Sequence, residues 1–397
     1  MPISERLGPL GSGVFARMDH RKRAYGLSAA CLERPLLDLS LGSTDLQPPV
    51  PVLEAMAEAL LAPASAGYCL NAATLPFREA AAAWVQQRFG VTVDPQREVL
   101  LLVGSQEGTA HLPLAVLNPG ERALLLDPGY PSHRGGVLLA GGKPVLLPLL
   151  ADQGWRPCWE QLSASQTAQL RLLVLGFPHN PTATVGQQQW LEEALALAQA
   201  SGAVLAHDNP YVDLALEGEA PALLRCEGWR EGGIEFFSFS KGWCLGGFRL
   251  AFAVGAAPLI EALAQVKAVV DFNQSLALQA GAITALQQFA DWPAQLLPIY
   301  RGRRDAMAAA LKAQGWSVPH ASMALYHWLP LPEALLGLGS EAACASLLER
   351  SGVALTPGVG FGPGGEGWLR LALVAEQAVL QEAAQRLGAA LQQCGDD

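Results

Sequence analysis

Ser238-Phe239-Ser240-Lys241 closes a short apolar run, and Gly246-Gly247-Phe248-Arg249 follows it. A lysine of lowered pKa is the natural residue for a Schiff base with a carbonyl. The hydroxyl of Ser238 and the guanidinium of Arg249, eight residues past Lys241, suit a phosphate dianion through charge-assisted hydrogen bonds. Taken alone, a lysine at a strand end is more often a solvated cation. Gly104-Ser105-Gln106-Glu107-Gly108 opens a predicted helix, where backbone N–H groups and the helix dipole attract phosphate. Alone, Ser105 reads as an ordinary helix cap. Asp127-Pro128-Gly129-Tyr130, His179-Asn180-Pro181-Thr182 and His207-Asp208-Asn209-Pro210-Tyr211 also follow apolar runs. They add an aromatic ring, an amide, and a carboxylate with a phenol. Singly, Asp208 reads as a cap or turn former, Asn180-Pro181 as a turn and Tyr130 as a surface aromatic. Together they suit a charged aromatic cofactor.

The elements that must carry these groups follow from the apolar pattern. Runs of strand length at residues 99–103, 123–126, 144–147, 170–175, 203–206, 235–239 and 250–254 each lead into a loop and then a helical stretch. Several are apolar on both parities, as buried parallel strands must be. The implied class is α/β, a mostly parallel sheet with helices on both faces, and in such sheets ligands bind outside the carboxyl ends of the strands. Helices are predicted over 49–60, where Leu53, Met56 and Leu60 recur at helical spacing, and over 76–89. Past Gly255 the pattern turns helical over 258–313. A run at 324–329, a helix near 341–350, a strand over 368–374 and a final helix over 376–393 then describe a smaller α/β unit. The first forty residues carry no clear pattern.

The bulk composition excludes other classes. The 397 residues are 51% hydrophobic and only 16% charged, which marks a globular chain. A net charge of −10 argues against nucleic-acid binding. Seven cysteines without a CxxC pair or a His/Cys cluster fit free thiols, no metal site and a cytoplasmic location. Residues 1–23 show no signal-peptide pattern, and no apolar stretch approaches the length of a membrane span.

Asn180, Asp208, Tyr211, Lys241 and Arg249 fall in an order and spacing that resemble the class I/II aminotransferases of pyridoxal 5′-phosphate (PLP) fold type I. The resemblance spans about residues 39–373. It includes Leu41-Gly42, Tyr68 with Arg78, Asp127 through Pro131, His179 through Thr182, Thr356-Pro357-Gly358 and Trp368-Leu369-Arg370. It implies a large PLP-binding domain over 46–275 and a small domain formed by both chain ends, 1–45 and 276–397. Lys241 is then the carrier of PLP and the proton-transfer residue at the substrate Cα. Asp208 pairs with the pyridine nitrogen, whose positive charge makes the ring a better electron sink. Asn180 and Tyr211 hold the ring's phenolic oxygen, and Tyr130 stacks on the ring. Ser105, Gln106, Ser238 and Arg249 bind the phosphate, while Tyr68 reaches the phosphate of a partner subunit in a homodimer. Arg370 clamps the substrate α-carboxylate in a bidentate fork, with Gly42 and Asn180 beside it.

Four positions depart from the family pattern. Ala183 and Ala73 stand where glycine is usual, Asn209 where an acid is common, and Cys244 where a smaller or aliphatic residue is usual. None removes a catalytic group. The implied activity is transfer of an amino group between an L-amino acid and a 2-oxo acid by ping-pong turnover. Lys267 through Phe272, with Gln279, is similar to transaminases of alanine or diaminopimelate-type substrates, and aspartate is a further candidate. No second arginine for a side-chain carboxylate stands out. The alternatives are a PLP-dependent β-eliminating lyase on the same scaffold and a PLP-binding regulator domain, the latter disfavoured by the lack of a basic extension.

Overall fold

The structure is a computed structural model, and it describes residues 4–10 and 13–395. After a helix at Val14–Gly26 and a short strand β1 (Leu37–Asp38), helices Val50–Leu60 and Leu75–Phe89 lead into the strand-rich middle of the chain. Seven strands follow: β2 (Val99–Leu102), β3 (Arg122–Asp127), β4 (Lys143–Pro148), β5 (Leu170–Leu175), β6 (Val204–Asp208), β7 (Gly233–Ser238) and β8 (Ala251–Gly255). They form one sheet in the order β2-β8-β7-β6-β5-β3-β4. Neighbours from β7 through β4 are parallel, and β8 runs antiparallel to both β2 and β7.

The two-sided apolar pattern has a direct structural result. Leu101, Leu124, Leu173, Leu205, Phe237 and Phe252 pack on one face with helices such as Leu75–Phe89 and Gln188–Ser201. Leu100, Leu125, Leu172, Val174, Ala206 and Phe236 pack on the other. Each such side chain, fully buried, contributes roughly 1.5–3 kcal/mol from apolar surface removed from water. The strand read over 235–239 ends one residue earlier. The Ser238 hydroxyl accepts the Ser240 N–H at 3.1 Å and so caps the short helix Phe239–Gly242, which carries Lys241.

The helical stretch beyond Gly255 is three helices, Ala257–Val270, Leu276–Gln288 and Trp292–Ala313. The middle one begins where the Ser275 hydroxyl accepts the Leu278 N–H. Its Ala282, Ala285 and Leu286 belong to the core of the large sheet, although these residues fall on the small-domain side of the division expected from sequence. The remaining strands are β9 (Tyr326–Pro330), β10 (Val353–Ala354), β11 (Thr356–Pro357) and β12 (Trp368–Ala372). β11, β12 and β9 form an antiparallel sheet, while β1 pairs in parallel with β10. Met18 and Leu39 from the start of the chain share a second core with Leu329, Leu347, Leu369 and Leu387. A bidentate Arg17–Glu341 pair, with contacts of 2.6 and 2.7 Å, ties the first long helix to Gly339–Ser351.

Helix Leu276–Gln288 lies so close to Val50–Leu60 that a Cβ on Gly281 would stand 2.4 Å from Met56 and 2.9 Å from the Val52 carbonyl. Overpacking of this kind costs about 1–3 kcal/mol. Gly281→Val is therefore expected to lower the thermal midpoint of the whole protein. An unchanged melting curve would mean that this helix does not pack as part of the large core.

Candidate active site

The carboxyl ends of β3, β5, β6 and β7 open onto a cavity of about 650 Å3. The end of β6 is fixed from within the sheet. His207 Nε2 accepts the Phe177 N–H at 3.2 Å, so its Nδ1 carries the proton and donates to Glu235 Oε1 at 2.8 Å. Asn209 donates to the same oxygen at 2.8 Å. Three neighbouring strands are thereby locked together beside Asp208. A common acid at position 209 would bring a second carboxylate onto Glu235, and the amide avoids this.

Asp208 is 6% exposed. Its Oδ2 lies 3.0 Å from His133 Nε2, while its Oδ1 is buried without any partner. Tyr130 stands edge-on to His133, with ring centroids 5.7 Å apart, and its hydroxyl donates to Gln106 at 3.0 Å. Burial, then the nearby Asp208 carboxylate, pushes the Tyr130 phenol up to about 12, so it stays a neutral ring at physiological pH.

At another end of the cavity, helix Ser105–Val116 begins after Gly104. Gly104 has a φ of +82°, and a Cβ there would lie 2.2 Å from the Arg249 guanidinium. Only glycine suits both the left-handed backbone and the close approach. Ser105, Gln106, Ser238 and Arg249 thus surround one space at a helix N-terminus, the geometry that binds anions.

Lys241 lies between these ends. Its Nζ donates to the Gly42 carbonyl. Burial pushes its pKa below the ordinary lysine value; the neighbouring Tyr326 opposes this, and the Arg370 and Arg249 cations add to it. Arg370 reaches in from β12 and is itself buried. It donates to Asn180 Oδ1 at 2.8 Å and to the Ser40 carbonyl at 2.9 Å, and its Nε has no partner. The guanidinium lies between two rings, Tyr326 at 4.4 Å and Phe361 at 4.8 Å from their centroids. Asn180 also donates to the Tyr211 hydroxyl at 3.4 Å.

The cavity therefore gathers Gly42, Ser105, Gln106, Tyr130, Asn180, Asp208, Tyr211, Ser238, Lys241, Arg249 and Arg370. Tyr68 is not among its lining residues. It is 91% exposed and rests on Phe272 at 5.9 Å. His133, Tyr326 and Phe361 are among the further residues that line the cavity and carry no role in the sequence reading. His133 was findable, because it stands three residues past Tyr130 in a Pro-initiated helix, Pro131–Leu139. Tyr326 lay in a stretch read only as an apolar strand, and Phe361 in a glycine-rich loop. At two of the departures the backbone is left-handed: φ is +59° at both Ala183 and Cys244, a conformation that favours glycine.

The chain matches the family of class I and II aminotransferases over residues 34–387. It is 35% identical over 388 residues to the LL-diaminopimelate aminotransferase of Desulforudis audaxviator (strain MP104C), covering 97% of this chain and 96% of that protein. A solved structure from Thermus thermophilus, described as a probable N-succinyldiaminopimelate aminotransferase, superposes with a TM-score of 0.88 at 42% identity, over 95% of this chain and 100% of that one. Substrate-bound BacF from Bacillus subtilis gives a TM-score of 0.92 at 29% identity, over 98% of both chains. The chain belongs to the class I and II aminotransferase family and has its fold type I architecture. It is an aminotransferase, acting on amino acids and 2-oxo acids, and none of these similarities supports the lyase alternative. No helix among the described residues is long and apolar enough to cross a membrane.

The buried Lys241 amine makes a pH-dependent prediction. Its folded-state pKa lies below the ordinary 10.5, so the unfolded chain binds the proton more tightly than the folded one. Stability is reduced at lower pH, and the deficit fades as pH rises toward the ordinary value. Lys241→Met should therefore stabilise the ligand-free protein most at neutral and acid pH, with a gain that shrinks as pH rises. Denaturant melts at several pH values measure this; a pH-independent difference would refute burial as the cause.

Proposed function

We propose that this aminotransferase uses PLP held by the residues of the cavity, with Lys241 as its carrier. The single observation that carries the reading is the Asp208 carboxylate: its Oδ1 is buried and unpartnered while His133 holds Oδ2. A buried carboxylate oxygen calls for a proton donor, and a protonated pyridine nitrogen supplies one. When bound, PLP supplies an electron sink for the negative charge left at the substrate Cα.

The chain's own residues do the rest. Asp208 keeps the proton on the ring nitrogen, and His133 keeps Asp208 oriented. Asn180 and Tyr211 hold the phenolic oxygen, and Tyr130 covers the ring. Ser105, Gln106 and Ser238 hold the phosphate together with Arg249, whose guanidinium occupies the space that Gly104 leaves. Lys241, a weaker base than an exposed lysine, would take the proton from the substrate Cα once the substrate amine has displaced it and deliver that proton to cofactor C4′, and would move it the opposite way when the 2-oxo acid is the substrate. Arg370 fixes the α-carboxylate, with its unpartnered Nε as a further donor, and Gly42 lines the same end. One amino acid and one 2-oxo acid use this site in turn.

Tyr68 serves the partner's phosphate in a homodimer. The support is its exposure in a patch with Leu70, Val269 and Phe272, all more than two-fifths exposed in the single chain. We place the large domain at residues 46–275 and the small one at both chain ends, with helix Leu276–Gln288 assigned to the large one because Ala282, Ala285 and Leu286 pack in its core. The six described cysteines are all free, in keeping with a cytoplasmic location.

A transamination panel across amino acids and 2-oxo acids tests the reading, with diaminopimelate included because relatives carry that name. No transfer from any amino acid would refute it. Arg370→Lys keeps the charge and loses the fork. It is expected to raise KM about 10-fold or more for the amino acid and the 2-oxo acid alike, with PLP affinity unchanged. Weakened PLP binding with unaltered KM would place this arginine on the wrong ligand.

A further inference from the structure

The proposed function leaves Tyr326, a buried titratable side chain of the cavity, without a role. Tyr326 opens β9 and is 2% exposed. Its ring is one of the two that enclose the Arg370 guanidinium, at 4.4 Å. Its hydroxyl lies 3.1 Å from that of Tyr211, and the rings stand edge-on with centroids 6.0 Å apart. The same hydroxyl presses on Gly42, where a Cβ would come within 1.8 Å of it. A glycine is thus required at position 42 for Tyr326 to occupy this place.

We propose that Tyr326 is a two-part positioning residue for the amino-transfer reaction: its ring holds Arg370 in the carboxylate-clamping pose, and its hydroxyl orients the Tyr211 hydroxyl toward the cofactor's phenolic oxygen. This rests on the roles given to Arg370 and Tyr211 above. The ring acts through cation–π attraction at a buried site, where it is strongest. The hydroxyl acts through hydrogen-bond accounting. Asn180 Nδ2 can only donate to Tyr211. If Tyr326 donates as well, both lone pairs of the Tyr211 oxygen are engaged and its own proton is left to point into the cavity. Burial raises Tyr326 toward neutrality, but the Arg370 and Lys241 cations and the Tyr211 contact outweigh it and leave this phenol below its ordinary value. Tyr211 is pushed up, by burial first and then by Tyr326. The more acidic phenol of a neutral pair is the better donor, which is the direction required.

The two parts separate experimentally. Tyr326→Phe keeps the ring and loses the hydroxyl, whereas Tyr326→Leu loses both. In the holoenzyme, Phe is expected to leave the dissociation constant of a carboxylate without an amine, 2-methylpropanoate, within about twofold, because the ring remains. It should lower kcat about tenfold and move the pH midpoint of the visible cofactor band upward by about 0.5 unit or more. The midpoint rises because a poorly aimed Tyr211 leaves more negative charge on the phenolic oxygen, which favours a bound proton nearby. Leu is expected to show the same midpoint shift and, in addition, to weaken 2-methylpropanoate binding and raise both KM values about tenfold. Tyr326→Met takes its place if the Leu chain does not fold. An unmoved midpoint in the Phe variant overturns the hydroxyl part. Unaltered 2-methylpropanoate binding in the Leu or Met variant overturns the ring part. Arg370→Lys is the reference: if it too leaves KM unchanged, the clamp reading itself has failed, and if it raises KM while Tyr326→Leu does not, only the present inference has.

Discussion

Two buried polar atoms of opposite character are left without partners on residues of one cavity, Asp208 Oδ1 and Arg370 Nε. Burying a charged group is tolerated only when it is paired or hydrogen-bonded. The protein meets most of that demand itself. His133 takes one oxygen of Asp208, and Asn180 and the Ser40 carbonyl take two nitrogens of Arg370. What remains is a request for a cationic ring edge at one place and a carboxylate at the other, with a depressed lysine amine between them.

The fold satisfies the geometry of that request by drawing on separate parts of the chain. The parallel strands deliver Asp208, Asn180 and Tyr130 at their carboxyl ends, and the Ser238 cap turns β7 into the short helix that presents Lys241. Arg370, Gly42 and Tyr326 arrive from the other core, on β12, just past β1 and at the start of β9. Glycine marks the two closest approaches, Gly104 under Arg249 and Gly42 under Tyr326. Arg370 and Arg249 each depress Lys241 further, so in the proposed function the charges that would bind the anions would also keep the carrier amine reactive.

Much of this was legible in the sequence because strand ends are local features. An apolar run followed by Gly-Ser, His-Asp or Ser-Lys marks both the strand and the group it presents, and the ordered blocks did the rest. Residues that act through another side chain were not legible. Tyr326 touches Arg370 across 44 residues with nothing near it in sequence to announce the pairing, and His133 touches Asp208 across 75 with only its place three residues past Tyr130 as a local sign. The place of helix Leu276–Gln288 was hidden for a related reason. Its apolar face is ordinary, and its close approach at Gly281 and the burial of Ala282, Ala285 and Leu286 attach it to the large core. The left-handed Ala183 shows that the backbone shape favouring glycine survives where the glycine itself does not.

The central claim is that one lysine of this chain, Lys241, carries the cofactor. Borohydride reduction of the holoenzyme followed by trypsin digestion and mass spectrometry tests it directly. A reduced cofactor on Lys241 blocks cleavage there, so residues 231–249 should appear as one peptide bearing the added mass. Cleaved, unmodified peptides 231–241 and 242–249, or the added mass on Lys22, Lys143, Lys267 or Lys312, would contradict the account.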